Sequence, residues 1–241
     1  MRGLLFALAL SVVAAFLLAG CLAAKLVETQ DLTISVPWTA PETSQYVLLS
    51  RDGKKEVGRG TLEIADAEGN YKLSLKFQNG EDYDNSEAVV DATTLKPVSV
   101  HRDRLVDGEH KELNATYDRV ANVVTITEVK DGGERGVPHR LKDNYYDNDS
   151  SLFLWRAIPF VAGYVDIYRT VVTGSGEQQV VHIEVKSKEQ IVVPAGTFDT
   201  WRLDIESRDN KQVAWYADTP EHPLVQYDNG IQLFQLTSLG Q

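Results

Sequence analysis

The sequence predicts an all-β fold with one short helix: an antiparallel curved sheet or partly closed β-barrel built from hairpins. Two observations carry this expectation. Turn-forming residues recur along most of the chain, and between them apolar and polar side chains alternate with a period of two. A third observation sets one segment apart, because residues 152–158 are apolar nearly all round and read as a capped short helix.

Taken in order, the chain opens with Met1 and Arg2, runs apolar from Leu4 to Leu18 and reaches Leu18-Ala19-Gly20-Cys21, where small residues precede the one cysteine. This pattern predicts a signal peptide over residues 1–20, cleaved before Cys21. The apolar run is shorter than the roughly 20 residues a spanning helix needs. It resembles bacterial lipoprotein signals, and the resemblance implies a diacylglyceryl thioether on Cys21 followed by N-acylation. The membrane is then a partner through that lipid. Each buried methylene contributes about 0.8 kcal/mol to partitioning, so several chains together hold a protein at a bilayer almost permanently. The expected location is the outer membrane facing the periplasm, or the outer face of the cytoplasmic membrane where there is no outer membrane. With Cys21 lipidated, no thiol is left for a disulfide, a redox motif or a cysteine metal site.

Residues 21–45 read as a tether, with a possible first strand over Leu32 to Trp38 between Pro37, Pro41 and small polar residues. Residues 46–241 read as a single β-rich domain. The turn signals in it are Asp52-Gly53, Gly69-Asn70, Asn79-Gly80, Asp107-Gly108, Asp131-Gly132-Gly133, Gly174-Ser175-Gly176, Gly196 and Asn229-Gly230. Between them Tyr71, Leu73, Leu75 and Phe77 alternate with Lys72, Ser74 and Lys76. Val181, Ile183 and Val185 do so with His182, Glu184 and Lys186, and Trp201, Leu203 and Ile205 with Arg202, Asp204 and Glu206. The last two runs are expected to be adjacent antiparallel strands, joined by a turn in which Gly196 takes positive φ. The count comes to about ten strands, more than an open twisted sheet carries without curling. The helical signal spans Leu152 to Ile158 between Asp149-Ser150-Ser151, read as its cap, and Pro159. With Arg156 its lone charge, it should cover the apolar face of the sheet.

The chemistry is sparse. A formal net charge of −11 disfavours nucleic acid, which needs clustered Lys and Arg. There is no Gly-x-Ser-x-Gly elbow or Ser-x-x-Lys, and His101, His110, His139, His182 and His222 show no metal-ligand spacing. No cofactor is expected. Two acidic runs, Glu81 to Asn85 and Asp143 to Asp149, are weak calcium candidates through Asp143, Asp147 and Asp149 in the second, which lacks the glycine and terminal glutamate of an EF-hand loop. Carboxylate pairs for glycoside hydrolysis are spatial, so their spacing is invisible in a sequence.

Val57-Gly58, Asp91 with Thr94-Leu95-Lys96-Pro97, Tyr117-Asp118, the Asp149 to Pro159 helix, Pro194-Ala195-Gly196-Thr197-Phe198-Asp199 and Ala214-Trp215-Tyr216-Ala217-Asp218 together resemble domain of unknown function family 3108. The resemblance implies an exported all-β protein with no established activity. The function expected is that of a non-catalytic envelope domain with a hydrophobic small molecule or an envelope protein as partner. Phe153, Trp155, Trp201 and Trp215 are the candidate walls of a ligand cleft, since aromatics supply large apolar area at little rotamer cost. An envelope assembly protein acting through an open strand edge is the alternative, and a carboxylate glycosidase the third.

Overall fold

The computed structural model describes residues 28–130, 133–208 and 210–240, so the predicted signal peptide and Cys21 lie outside the described residues. Alternation and turns shape everything in it. The strands are β1 Glu42–Ser50, β2 Glu56–Ala67, β3 Asn70–Asn79, β4 Asp82–Asp91, β5 Pro97–Val106, β6 Glu109–Asp118, β7 Val123–Lys130 and β8 Gly133–Arg140. They continue as β9 Tyr145–Asp147, β10 Val165–Val172, β11 Glu177–Val193, β12 Gly196–Ser207, β13 Asn210–Ala217, β14 Leu224–Asp228 and β15 Gln232–Gly240. The predicted turns within the described residues fall between strands or at their ends, and Asp131-Gly132 lie outside the described residues. At Glu68-Gly69 and Asp107-Gly108 both central residues have positive φ, 46° and 84°, then 54° and 78°, the backbone that matches the twist of a tight hairpin.

All strands form one sheet in the order β8-β7-β6-β5-β4-β3-β2-β1-β15-β14-β13-β12-β11-β10-β9. Neighbours are antiparallel except β9 and β10, which are parallel. The sheet therefore consists of two runs of neighbouring strands joined where β1 pairs with β15. Fifteen strands replace the ten expected, and a sheet this wide must curl. It does not close. The Gln178 side chain of β11 reaches the end of β8: its Nε2 donates to the Arg140 carbonyl at 2.8 Å, and the Lys142 amide donates to its Oε1 at 2.7 Å. β11 and β12 are adjacent and antiparallel, with Ile183 opposite Ile205 and Val185 opposite Leu203.

The inner face is the core, with Leu73, Val90, Leu154, Ile183, Leu203 and Leu236 fully buried. The helical segment lies on it. A 3-10 turn Asn148–Ser150 leads into α1 Ser151–Leu154 and a second 3-10 turn Trp155–Ala157. Its N-cap is Asp147, whose side chain accepts from the Asp149 amide, so the capping carboxylate is two residues earlier than the sequence suggests. Tyr216 Oη donates to the Leu152 carbonyl at 2.7 Å and Trp155 Nε1 donates to Tyr168 Oη at 2.7 Å, fastening the segment to β13 and β10.

Leu32 to Trp38 is not a strand. Its backbone bonds go elsewhere: the Leu32 amide to Tyr146 Oη, and the Ser35 amide to the Ala157 carbonyl at 2.8 Å. Leu32 and Trp38 are buried, so the tether packs against the domain as a strap over the helical segment. The sheet begins at Glu42, four residues before the expected boundary at residue 46.

A cavity under the helical segment

Between the helical segment and the inner face of the sheet lies a cavity of about 300 Å³. Its apolar wall follows from alternation on five strands. Leu75 and Phe77 come from β3, Val181 from β11, Ile205 from β12, Tyr227 from β14 and Phe234 from β15, with Trp155 and Leu152 from the segment above. The aromatics interlock: Phe77 meets Phe234 edge-on at 5.3 Å, Phe234 lies 5.4 Å from Tyr227, and Tyr227 lies 6.1 Å from Trp155. Tyr227 Oη donates to Gln212 Oε1 at 2.6 Å, so its hydroxyl is satisfied.

The other end of the cavity is charged. Arg102 of β5 grips Asp84 of β4 with both forks, Nε to Oδ1 at 2.8 Å and Nη2 to Oδ2 at 2.6 Å, and its Nη1 reaches Asp149 Oδ1 at 3.3 Å. Burial opposes the Arg102 charge, but the Asp84 and Asp149 carboxylates outweigh it and hold the guanidinium protonated. Behind Asp149 sits Asp147, fully buried, accepting from the Asp149 amide at 2.7 Å, from Thr173 Oγ1 at 3.1 Å and from the Tyr117 hydroxyl. Those three donors favour its charged form. Burial and the neighbouring Asp149 charge prevail and push its pKa up to about 7. Burial also raises the pKa of Asp149, with Arg102 pulling the other way.

Two buried side-chain atoms of the lining residues have no hydrogen-bond partner: Asp149 Oδ2 and Thr170 Oγ1. Thr173, the hydroxyl beside Asp149, has one proton and gives it to Asp147. Unpaired buried polar atoms are rare because each costs about 1–3 kcal/mol.

The four aromatic candidates do not converge. Trp155 lines the cavity. Phe153 is buried but is not part of the lining. Trp201 lies at the margin against Phe160, with its Nε1 on Asp218 at 2.8 Å and Lys188 Nζ 4.7 Å from its ring. Trp215 alternates with buried Ala214 and Tyr216, so it stands on the outer face, its Nε1 on Glu189 at 2.6 Å. Asp143 is exposed and accepts from Asn122 Nδ2 at 3.1 Å, apart from buried Asp147 and Asp149. No three His, Cys, Asp or Glu side chains among the described residues are grouped to hold a metal ion. The acidic run at residues 82–85 is strand β4, with Asp84 committed to Arg102. Sequence reasoning missed Arg102, Thr170 and Gln212, and took Asp84 only as part of an acidic run. A signal existed for Arg102: it is two residues beyond buried Val100, a charge where alternation calls for an inward apolar side chain.

No helix among the described residues is long and apolar enough to cross a membrane. No curated protein matches the chain in sequence. A β-barrel-like protein of domain of unknown function DUF1849 from Brucella abortus shares the fold, with a TM-score of 0.55 at 12% identity over 83% of this chain and 97% of its own. A Bacteroides fragilis protein described as exported and of YmcC-like fold aligns over 86% of this chain and 99% of its own, with 14% identity and a TM-score of 0.33. The family described as Protein of unknown function (DUF3108) matches residues 45–229, which takes in the sheet from β1 through β14, the helical segment and every residue lining the cavity except Phe234, and the chain belongs to that family.

Proposed function

We propose that this chain is a lipid-anchored, non-catalytic binding domain of the bacterial cell envelope, whose cavity holds a small amphipathic molecule. The cavity is the observation that supports the reading: about 300 Å³, lined by aromatic side chains together with Arg102, Asp149 and Thr170, the last two each holding a buried polar atom without a partner. Ligand pockets run from roughly 300 to 1,000 Å³ and combine apolar walls with a few placed polar groups. A volume at the low end suits a compact molecule better than a long acyl chain. The anchor rests on the Leu-Ala-Gly-Cys21 signal.

Retaining and inverting glycosidases both need two carboxyl groups flanking the substrate. Among the described residues Asp149 is the one carboxylate lining this cavity, which favours binding over hydrolysis. The partner-docking alternative needs an open strand edge, and β8 carries Pro138, which has no amide proton to offer a pairing strand.

Native mass spectrometry of the protein purified in detergent micelles tests the reading. The expected result is a small-molecule adduct that leaves on denaturation and can be identified by extraction. A bare protein mass, together with no thermal shift from a set of small aromatic fragments, would overturn it.

A further inference from the structure

The binding reading leaves the ligand's chemistry open, and the charges at the end of the cavity narrow it. Arg102 is one cation between the two carboxylates it touches, Asp84 and Asp149. Three of its five N–H donors are already spent, two on Asp84 and one on Asp149. Asp149 Oδ2 is left as a buried acceptor with no donor, on a residue 5% exposed, and Thr170 Oγ1 is unpaired on a residue 2% exposed. Both residues line the cavity. A deficit of positive charge, an orphaned carboxylate oxygen and a free hydroxyl call for a donor that carries positive charge. The aromatic part of the lining complements such a ligand, since Trp155, Tyr227, Phe77 and Phe234 present rings that favour an apolar body and attract a cation across their faces.

Resting on the binding function proposed above, we infer that the ligand is a small organic amine, bound as its ammonium with N–H donated to Asp149 Oδ2 and Thr170 Oγ1 and its apolar part against Trp155 and Phe234. The amine replaces a proton as the counter-charge that the carboxylates lack. An anionic head would meet the Asp149 carboxylate, and like charges repel more strongly in a partly buried site than in water. A neutral hydroxyl would satisfy one oxygen and leave the charge imbalance standing.

The test uses three probes of one size: phenethylamine, phenethyl alcohol and 3-phenylpropionate. Each is titrated calorimetrically into the lipidated protein in detergent micelles, with empty micelles subtracted. The amine should bind at least about tenfold more tightly than either of the others, as a charge-assisted hydrogen bond requires. Asp149→Asn should erase that preference. Thr170→Val should weaken amine binding several-fold, and it removes a hydroxyl that bonds nothing in the fold, so it keeps the test valid should Asp149→Asn fail to fold. Alcohol or carboxylate binding as tightly as the amine overturns the inference and leaves the cavity as a binding site. Absence of binding by all three overturns the inference and the binding reading together.

Discussion

Replacing Arg156 with methionine should be among the most destabilising single changes in this protein. The guanidinium is 4% exposed and lies in a bidentate pair with Glu42, at 2.6 Å and 2.8 Å, while Glu42 is itself 8% exposed. Its Nε donates to the Glu221 carbonyl at 2.5 Å, and the guanidinium sits 5.5 Å from the Trp38 ring. One side chain thus ties the helical segment to β1, the strap and the loop before β14. Methionine keeps the length and removes every donor, leaving Glu42 buried without a partner. Breaking a buried pair on one side costs about 3–5 kcal/mol. With a urea slope near the top of the usual range, about 3 kcal/mol/M for a domain of this size, the midpoint should fall by about 1–2 M. The informative control is the double variant Glu42→Leu/Arg156→Met. A buried pair gains little over apolar residues of similar volume, so removing the second charge should recover most of the loss. Urea unfolding followed by tryptophan fluorescence reads all three proteins. A single variant within about 0.3 M of wild type, or a double variant no more stable than the single, would refute the reasoning.

Three further outcomes follow from the same structure and sequence. Cys21→Ala should leave an unprocessed precursor that takes up no labelled palmitate, and equal labelling of wild type and variant would count against the lipobox. Gly196→Val should lower stability by about 1–2 kcal/mol, because φ is +137° there while the nearest atom to an added Cβ, Phe198 Cε2 at 3.8 Å, leaves room; the penalty is backbone strain, and an unchanged melting temperature would count against it. Asp147 should make stability fall as pH rises from about 4 to about 7, since its pKa goes up from 3.8 to about 7 on folding and the folded state then holds a proton that the unfolded chain has lost. Urea midpoints measured at pH 5 and pH 8 should show the drop, and Asp147→Asn should flatten it.

The hairpins were legible because their turns need glycine, and the strand pairs because alternation survives in Val181–Lys186 and Trp201–Glu206. The strands that escaped notice lack one signal or the other. β9 is three residues, all buried, too short to alternate. β4 opens on Asp82-Tyr83-Asp84-Asn85, which reads as an acidic loop until its neighbours β3 and β5 are seen to fix it in the sheet. The buried strap around Leu32 and Trp38 took the form of a loop because its amides find partners on the helical segment and on Tyr146 in place of a strand. Trp155 could be singled out from its apolar neighbourhood alone. Its charged counterpart could not: Arg102 stands 18 residues from Asp84, which the pairing of β4 with β5 sets beside it, and 47 from Asp149, which the helical segment lays against it.

The seam between β1 and β15 gives this protein an order of events. Thr237 and Gln45 bond across it although they are 192 residues apart, and each half of the sheet lies on its own side of that one contact. As the chain is made, the half built from β1 to β8 has its inner face bare until β15 is present, since the strands that complete the curl hang from it. Closing a loop that long is slow, and exposed apolar strands invite wrong pairings in the meantime. A chain cut short before Gln232 should leave two half-sheets without the strand that pairs them.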